Sequence, residues 1–134
     1  GRGRWLAPLR QMRRLSKEWE QRLSIRRIGA DQPVLYLSGG NQQKVVIAKA
    51  LAQQPKLVIF DEPTRGVDVG AIAEIHQIIR DLADSGAGVV VISSYLPEIL
   101  DLCDRILVAK NGAIAAEFSR EEASAATILQ AAIH

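Results

Sequence analysis

Two short apolar runs, joined by a helical pattern, constrain the fold of this chain more than any other feature. Residues 57–60 (LVIF) and 89–92 (VVVI) are uninterrupted apolar runs, and the stretch between them (AIAEIHQIIRDLADSG) has the apolar spacing of an amphipathic helix. Such runs are typical of parallel strands that are covered on both faces. Strand, helix and strand in this order predict a right-handed crossover, and therefore an α/β fold.

Helical patterns precede this unit. Residues 6–23 carry apolar side chains at three- and four-residue intervals, which predicts one or two helices. A further helix is expected to begin after Ser38, as its N-cap, and to end at the glutamines before Pro55. We therefore divide the chain into a helical part, residues 1–54, and an α/β part, residues 55–134.

The carboxyl-terminal third predicts a hairpin and a last helix. A short helix is expected at residues 97–102, and the Asn-Gly pair at residues 111–112 predicts a tight turn between two strands. Ser119 and Glu122 have the spacing of a capping box, so the last helix is expected to begin there.

Length, charge and cysteine content exclude several classes of protein. With 134 residues and 48% hydrophobic composition, the chain can form one domain with a real core. Its apolar runs are far shorter than the roughly 20 residues that cross a bilayer. Residues 1–30 are strongly basic but lack the interleaved aromatic residues of a single-strand binder, which favours a solvated helix face. The single cysteine, Cys103, is expected to be a small buried hydrophobe.

Two adjacent carboxylates, Asp61 and Glu62, follow the first apolar run. Ligands bind at the carboxyl ends of the strands in an open parallel sheet. Two acids there suit a nucleotide with Mg²⁺, since Asp61 can hold the metal through water and Glu62 can orient or deprotonate an attacking water. Strands also end in polar loops for structural reasons alone, so the pair by itself leaves both interpretations open.

A serine and two glycines, Ser38, Gly39 and Gly40, stand at the expected helix start. Without side chains, the backbone N–H groups of the first turn would face outward at the positive end of the helix dipole, which predicts an anion site. A helix that only needed a cap would not use two glycines, because glycine lowers helix stability.

Taken together, LSGGNQQKVVIAKAL (residues 37–51) and LVIFDEPTRGVDV (residues 57–69) resemble the signature motif, the Walker B motif and the D-loop of ATP-binding-cassette (ABC) ATPases. SGGNQQK, DEPTRGVDVG and ISSYLPEIL look most like the second, carboxyl-terminal cassette of bacterial importers of monosaccharides of the ribose, galactose and xylose type. The resemblance is close over residues 35–118. It implies the carboxyl-terminal portion of a P-loop NTPase: parallel strands of a RecA-like core, part of the helical signature subdomain, and a carboxyl-terminal β-hairpin plus helix.

The resemblance also implies roles for single residues. The signature residues would contact the γ-phosphate of ATP that a partner cassette holds: Ser38, Gly39, Gly40, Asn41 (in place of the usual glutamine) and Gln42. Asp61 would bind Mg²⁺, usually through water, and Glu62 would be the general base. Asp68 would be the D-loop acid that communicates across the dimer.

Partners and a location are implied in the same way. Besides ATP and Mg²⁺, the resemblance implies a partner cassette, in the same polypeptide or in a dimer, and a membrane permease fed by a periplasmic sugar-binding protein. The expected location is peripheral, on the cytoplasmic face of the bacterial inner membrane. No nucleic-acid partner is expected.

Two departures from the family pattern limit what the resemblance implies. The sequence contains no G-x-x-x-x-G-K-[ST] phosphate loop; Gly39 and Lys44 do not have the spacing of this motif. We therefore expect a piece of a longer protein, and we expect this piece to be inactive by itself. Ser94 stands at the switch position, where histidine is expected. Its hydroxyl can donate a hydrogen bond but cannot carry a positive charge, so the sequence leaves open whether this cassette's own site hydrolyses ATP.

Two other hypotheses come from different functional classes. A non-catalytic module would use the cassette shape only for association or regulation. A DNA-repair or ribosome-associated ATPase of the same superfamily would place the basic front on nucleic acid. Such an ATPase would be expected to carry a long coiled-coil insertion, or paired cassettes without DEPTRGVDVGA, and the sequence has no heptad run.

Overall fold

The structure, a computed structural model, describes residues 9–26 and 32–133. Its elements, in chain order, are α1 (Leu9–Arg22), a 3₁₀ turn (Val34–Tyr36), α2 (Gly39–Leu51), β1 (Leu57–Asp61), α3 (Val69–Asp84), β2 (Gly88–Ile92), α4 (Leu96–Leu102), β3 (Arg105–Lys110), β4 (Ala113–Ser119) and α5 (Ala125–Ile133). The predicted α/β class and order of elements are confirmed. Residues 6–8 of the predicted first helix and residues 29–31 of the predicted break lie outside the described residues. None of the helices in the described ranges has the length and apolar character of a bilayer-spanning segment.

The described residues form two compact units. The first contains those up to Pro55 together with Thr64–Ile78, and the second contains Lys56–Pro63 together with those from Ile79 onward. The buried apolar side chains of the first unit are Leu23, Ile47, Ala48, Leu51, Ala71, Ile75 and Ile78. The division at residues 54 and 55 that the sequence suggested stays a prediction.

The second unit contains the predicted parallel pair. β1 and β2 are hydrogen-bonded in parallel, with Leu57 opposite Gly88 at one end and Asp61 opposite Ile92 at the other. Phe60 is buried, but Ile59 and its neighbours on the same face, Leu57, Val90 and Ile92, are exposed. The prediction that both faces are covered is therefore wrong for the described residues. The reason is physical: a sheet face is buried only where a second layer packs on it, and here one face lacks such a layer.

A hairpin and a helix complete the second unit. β3 and β4 pair in antiparallel register through the predicted turn, where Asn111 and Gly112 have φ of 50° and 78°. Two positive φ values in succession match the right-handed twist of the flanking strands, and Asn-Gly adopts them readily. A small core forms between this hairpin and α5 from Ile106, Val108 and Ile128. The predicted hairpin and terminal helix are thus confirmed.

The last helix does not begin at the predicted capping box. Ser119 donates both its N–H and its Oγ–H to Glu122 Oε2, at 3.1 and 2.8 Å, yet it is the final residue of β4. The next N–H, of Arg120, still donates to the carbonyl oxygen of Asp104 across the hairpin, which keeps the chain extended. The helix instead has its N-cap five residues later, at Ser124, whose Oγ accepts from the N–H of Thr127 at 3.1 Å.

Cys103 is half-buried against the small core of the second unit, in agreement with its expected packing role. Burial raises the pKa of its thiol, the nearby carboxylates of Asp104 and Glu98 raise it further, and Arg120 opposes them. A raised pKa keeps the thiol protonated, and therefore unreactive, at neutral pH.

The pH dependence of cysteine alkylation tests this environment. The midpoint of the rate of reaction with iodoacetamide should lie at higher pH in the native protein than in urea, because burial and neighbouring negative charge disfavour the thiolate. Asp104→Asn should lower the native midpoint. Equal midpoints in native and denatured protein would contradict the described environment of the thiol.

Candidate functional site

The first unit places the predicted signature residues at a capped helix start. Ser38, in extended conformation, is the N-cap of α2, and its Oγ accepts from the backbone N–H and the side-chain amide of Asn41, at 3.4 and 3.0 Å. Because Oγ is an acceptor in both contacts, the hydroxyl proton stays available for a ligand. The predicted helix start is therefore confirmed.

Asn41 and Gln42 are used within the chain itself. Asn41 Oδ1 accepts from the N–H of Arg26 at 3.0 Å, and Gln42 Nε2 donates to the carbonyl oxygen of Leu37 at 2.9 Å. Both side chains are half-buried. They hold the segments that lead up to the signature, and direct contact of either one with nucleotide stays a prediction.

The two glycines differ in their surroundings. Gly39 is exposed, and a Cβ on it would lie 3.3 Å from the carbonyl oxygen of Gly66. Gly40 is buried, and a Cβ on it would lie 2.4 Å from Cβ of Ala71, closer than two carbons can approach. The expectation that both glycines face outward is wrong for Gly40. Its missing side chain lets the start of α2 approach α3, which is a packing reason for glycine.

The predicted D-loop acid lies beside this helix start. Asp68 is exposed, and its Oδ2 accepts from the N–H of Ala71 at 3.2 Å, so Asp68 caps α3. A pocket of about 220 Å³ separates the two helix starts; its lining includes Ser38, Gly40, Asn41, Lys44, Asp68 and Glu74. The structure thus brings the predicted signature residues and the predicted D-loop acid together in one unit.

The second unit places Asp61, Glu62 and Ser94 at the carboxyl ends of adjacent strands. Asp61 ends β1 and is exposed. The N–H of Glu62 donates to the carbonyl oxygen of Ile92 at 2.8 Å, and Glu62 has a φ of 48°. That left-handed backbone conformation costs a residue other than glycine about 1–3 kcal/mol, and such strain occurs often at functional sites.

A backbone amide orients the Glu62 carboxylate. The N–H of Ser94 donates to Glu62 Oε1 at 2.9 Å. This bond fixes one oxygen and leaves Oε2 to accept a proton from water. Ser94 therefore acts on Glu62 through its main chain, a contact that no side-chain motif in the sequence predicts.

The donor set suits a magnesium ion that a nucleotide also binds. No group of three or more histidine, cysteine, aspartate or glutamate side chains that could hold a metal occurs in residues 9–26 and 32–133. Asp61 is a single exposed carboxylate at a strand end. Mg²⁺ typically takes one or two carboxylates and completes its octahedral shell with waters and phosphate oxygens. Asp61 fits that pattern, with phosphate and water as the other ligands.

Sequence reasoning overlooked the burial of Lys44. Lys44 entered it only as a wrongly spaced phosphate-loop residue, but the structure buries this lysine in α2 beside Glu74 of α3. The signal was present, since Gly40, Lys44, Ile47 and Leu51 recur at three- and four-residue intervals on the buried face of α2.

Comparisons with known sequences agree with these motifs. A family model described as "ABC transporter" matches residues 7–65. The ribose import ATP-binding protein RbsA 2 of Rhizobium meliloti is 53% identical over 92% of this chain and 24% of its own length. A ribose import ATP-binding protein of Caldanaerobacter subterraneus is 50% identical over 90% of the chain and 24% of its own length. The chain thus spans about a quarter of the length of these curated relatives.

Solved structures share the fold. A dimeric ATP-binding cassette in a post-hydrolysis state, bound to ADP and Pi, superposes with a TM-score of 0.74 and 28% identity over 90% of this chain and 51% of that one. A nucleotide-free ATP-binding cassette from an ABC transporter gives a TM-score of 0.80 and 25% identity, over 98% of this chain and 53% of that one.

The close approach of Gly40 to Ala71 predicts that a substitution at one position compensates for the stability lost through a substitution at the other. Gly40→Ala should lower the free energy of unfolding by about 1–3 kcal/mol through overpacking, more than the roughly 1 kcal/mol that alanine gains in helix propensity. Gly39→Ala, facing a 3.3 Å contact, should change stability much less. Adding Ala71→Gly to Gly40→Ala should recover part of the loss in urea unfolding. No recovery would mean that this contact does not require the glycine.

The hydrogen bond from the N–H of Ser94 to Glu62 predicts that Ser94→Ala and Glu62→Ala affect hydrogen exchange of this amide differently. Ser94→Ala keeps the N–H that binds Glu62 Oε1, so hydrogen-exchange protection of that amide should stay near the wild-type value. Glu62→Ala removes the acceptor, and protection should fall about tenfold, since a hydrogen bond to a charged acceptor contributes about 1.5–3 kcal/mol when buried and less when exposed. Lost protection in Ser94→Ala would show that the serine side chain is needed to hold the contact.

Proposed function

We propose that the chain belongs to the ABC transporter family and is part of the ATP-hydrolysing subunit of a bacterial monosaccharide importer. The observation that carries the proposal is the identity of 50–53% with ribose import ATP-binding proteins over about nine tenths of the chain. That aligned stretch is long enough to include the signature, Walker B, D-loop and switch positions.

The start of α2 supplies the phosphate-binding face. This face would bind the γ-phosphate of ATP that the phosphate loop of a partner cassette holds. The groups that would contact the phosphate are the exposed Gly39, the free hydroxyl proton of Ser38 and the positive end of the helix dipole. Each preorganised donor aimed at the developing negative charge contributes about 3 kcal/mol to stabilisation of a transition state. Because Asn41 donates to Ser38 Oγ, the hydroxyl has one remaining direction in which to donate.

The second unit supplies the groups for hydrolysis. Asp61 would hold Mg²⁺ through water, and the ion, when bound, would offset negative charge on the phosphate oxygens. Glu62 would orient the attacking water and take its proton at Oε2, since Oε1 already accepts from the N–H of Ser94. Ser94 cannot supply a positive charge, so the proton step at this site depends on Glu62.

Partners and location follow from the same proposal. A second cassette would complete the nucleotide sandwich, and Asp68, which is exposed at the start of α3, would report on it. Closure of the two cassettes would drive a membrane permease, which a periplasmic sugar-binding protein supplies with cargo. The subunit would lie on the cytoplasmic face of the inner membrane.

ATP turnover in the protein expressed from its complete reading frame tests the proposal. Glu62→Gln keeps the hydrogen bond to the N–H of Ser94 but cannot take a proton, so single-turnover hydrolysis at this site should fall by about 10²–10⁴-fold while ATP binding persists. Glu121→Gln, which alters an exposed carboxylate outside the site, is the matched control.

A second variant separates catalysis from mere association. Ser38→Arg should abolish ATP-dependent closure, because the long side chain covers the phosphate-binding face. Full closure and turnover in both Ser38→Arg and Glu62→Gln would overturn the proposal and favour a module that only associates.

A further inference from the structure

A buried ion pair joins α2 to α3 one helical turn after Gly40. Lys44 is 2% exposed, and its Nζ is paired with Glu74 Oε2. Nζ also donates to the carbonyl oxygen of Ser24 at 3.3 Å. An ammonium group is costly to bury unless it is paired and hydrogen-bonded, so Lys44 is tolerated at this depth because Glu74 is opposite.

The pair continues the line of contact that begins at the glycines. Gly40 and Lys44 are four residues apart on α2, and Ala71 and Glu74 are three apart on α3, so each couple shares one helix face. Gly40 touches Ala71 at the helix starts, and Lys44 meets Glu74 one turn further along. Two successive contacts along a pair of helices restrain both sliding and rotation.

We propose that Lys44 and Glu74 are positioning residues that make the start of α2 and the start of α3 a single rigid surface. Gly39 lies at the first of these starts and Asp68 at the second. When Ser38 and Gly39 bind a phosphate, Asp68 moves with them, and nucleotide binding is thereby communicated to the D-loop. This coupling rests on the proposed function, whereas the rigidity of the surface does not.

The two partners differ in what their removal leaves behind. Glu74 is 41% exposed, so Lys44→Met leaves a carboxylate that water can solvate, and methionine fills the lysine cavity. Glu74→Gln leaves a buried ammonium without its counter-charge, which is the more damaging change. The double variant removes both charges, so it should resemble Lys44→Met and be less perturbed than Glu74→Gln.

Hydrogen exchange in the complete protein measures rigidity without relying on activity. Glu74→Gln should lower protection at the amides of Gln42 and Ile72 together, by at least about tenfold, and the double variant should recover most of that loss. Lys49→Met, at an exposed lysine of the same helix, is the control and should change neither amide. Wild-type exchange in Glu74→Gln, or loss at one helix start only, would overturn the rigid surface.

Communication between the phosphate-binding residues and Asp68 must be tested by a measurement that a loss of folding stability does not change. The ATP concentration for half-maximal hydrolysis should rise about tenfold in Glu74→Gln, the equivalent of about 1.4 kcal/mol. It should change little in Leu51→Ala, a buried substitution at the other end of α2 that lowers unfolding stability. An equal rise in both variants at matched loss of stability would overturn the positioning role. A wild-type protein that does not hydrolyse ATP would instead overturn the proposed function, and hydrogen exchange would still decide the rigidity.

Discussion

The contact between the start of α2 and the turn before α3 is the constraint on which the predicted phosphate-binding face depends. Gly39 lies close to the carbonyl oxygen of Gly66, and Gly40 lies against Ala71. A larger residue at position 40 would clash with Ala71 at this separation of the helices. The glycines therefore serve two purposes: an exposed, side-chain-free amide at Gly39 and a close helix approach at Gly40. The same contact places Ser38 and Asp68 on the lining of one pocket, so the predicted phosphate-binding residues and the predicted D-loop acid share one surface.

The register of the parallel strands has a comparable effect in the second unit. Asp61 stands opposite Ile92, so the residues that follow each strand, Glu62 and Ser94 among them, meet at the same edge of the sheet. Main-chain geometry then orients the catalytic candidate, since the N–H of Ser94 binds one oxygen of Glu62. The predicted switch position can therefore contribute to the candidate site without histidine, because any residue except proline supplies the amide.

Much of the fold and of the candidate site could be predicted because the signals are local. Apolar spacing gave the helices, the Asn-Gly pair gave the hairpin, and the motif at residues 37–51 gave the signature helix with Ser38 as its cap. The errors arose where distant residues decide. Glu122 accepts from the N–H of Ser119 as in a capping box, yet strand pairing moves the helix start to Ala125. The predicted cover on both faces of β1 requires a layer that the described residues supply on one side only.

The sequence by itself determined the order of helices and strands, the capped start of α2, and the presence of Asp61 and Glu62 at a strand end. These depend on backbone preferences and on periodicity within one segment. The tertiary structure alone decided that Gly40 packs against Ala71, that Glu62 is held by a main-chain amide, and that Lys44 meets Glu74. Those outcomes depend on pairwise contacts between segments far apart in the chain, whose energies no local pattern encodes.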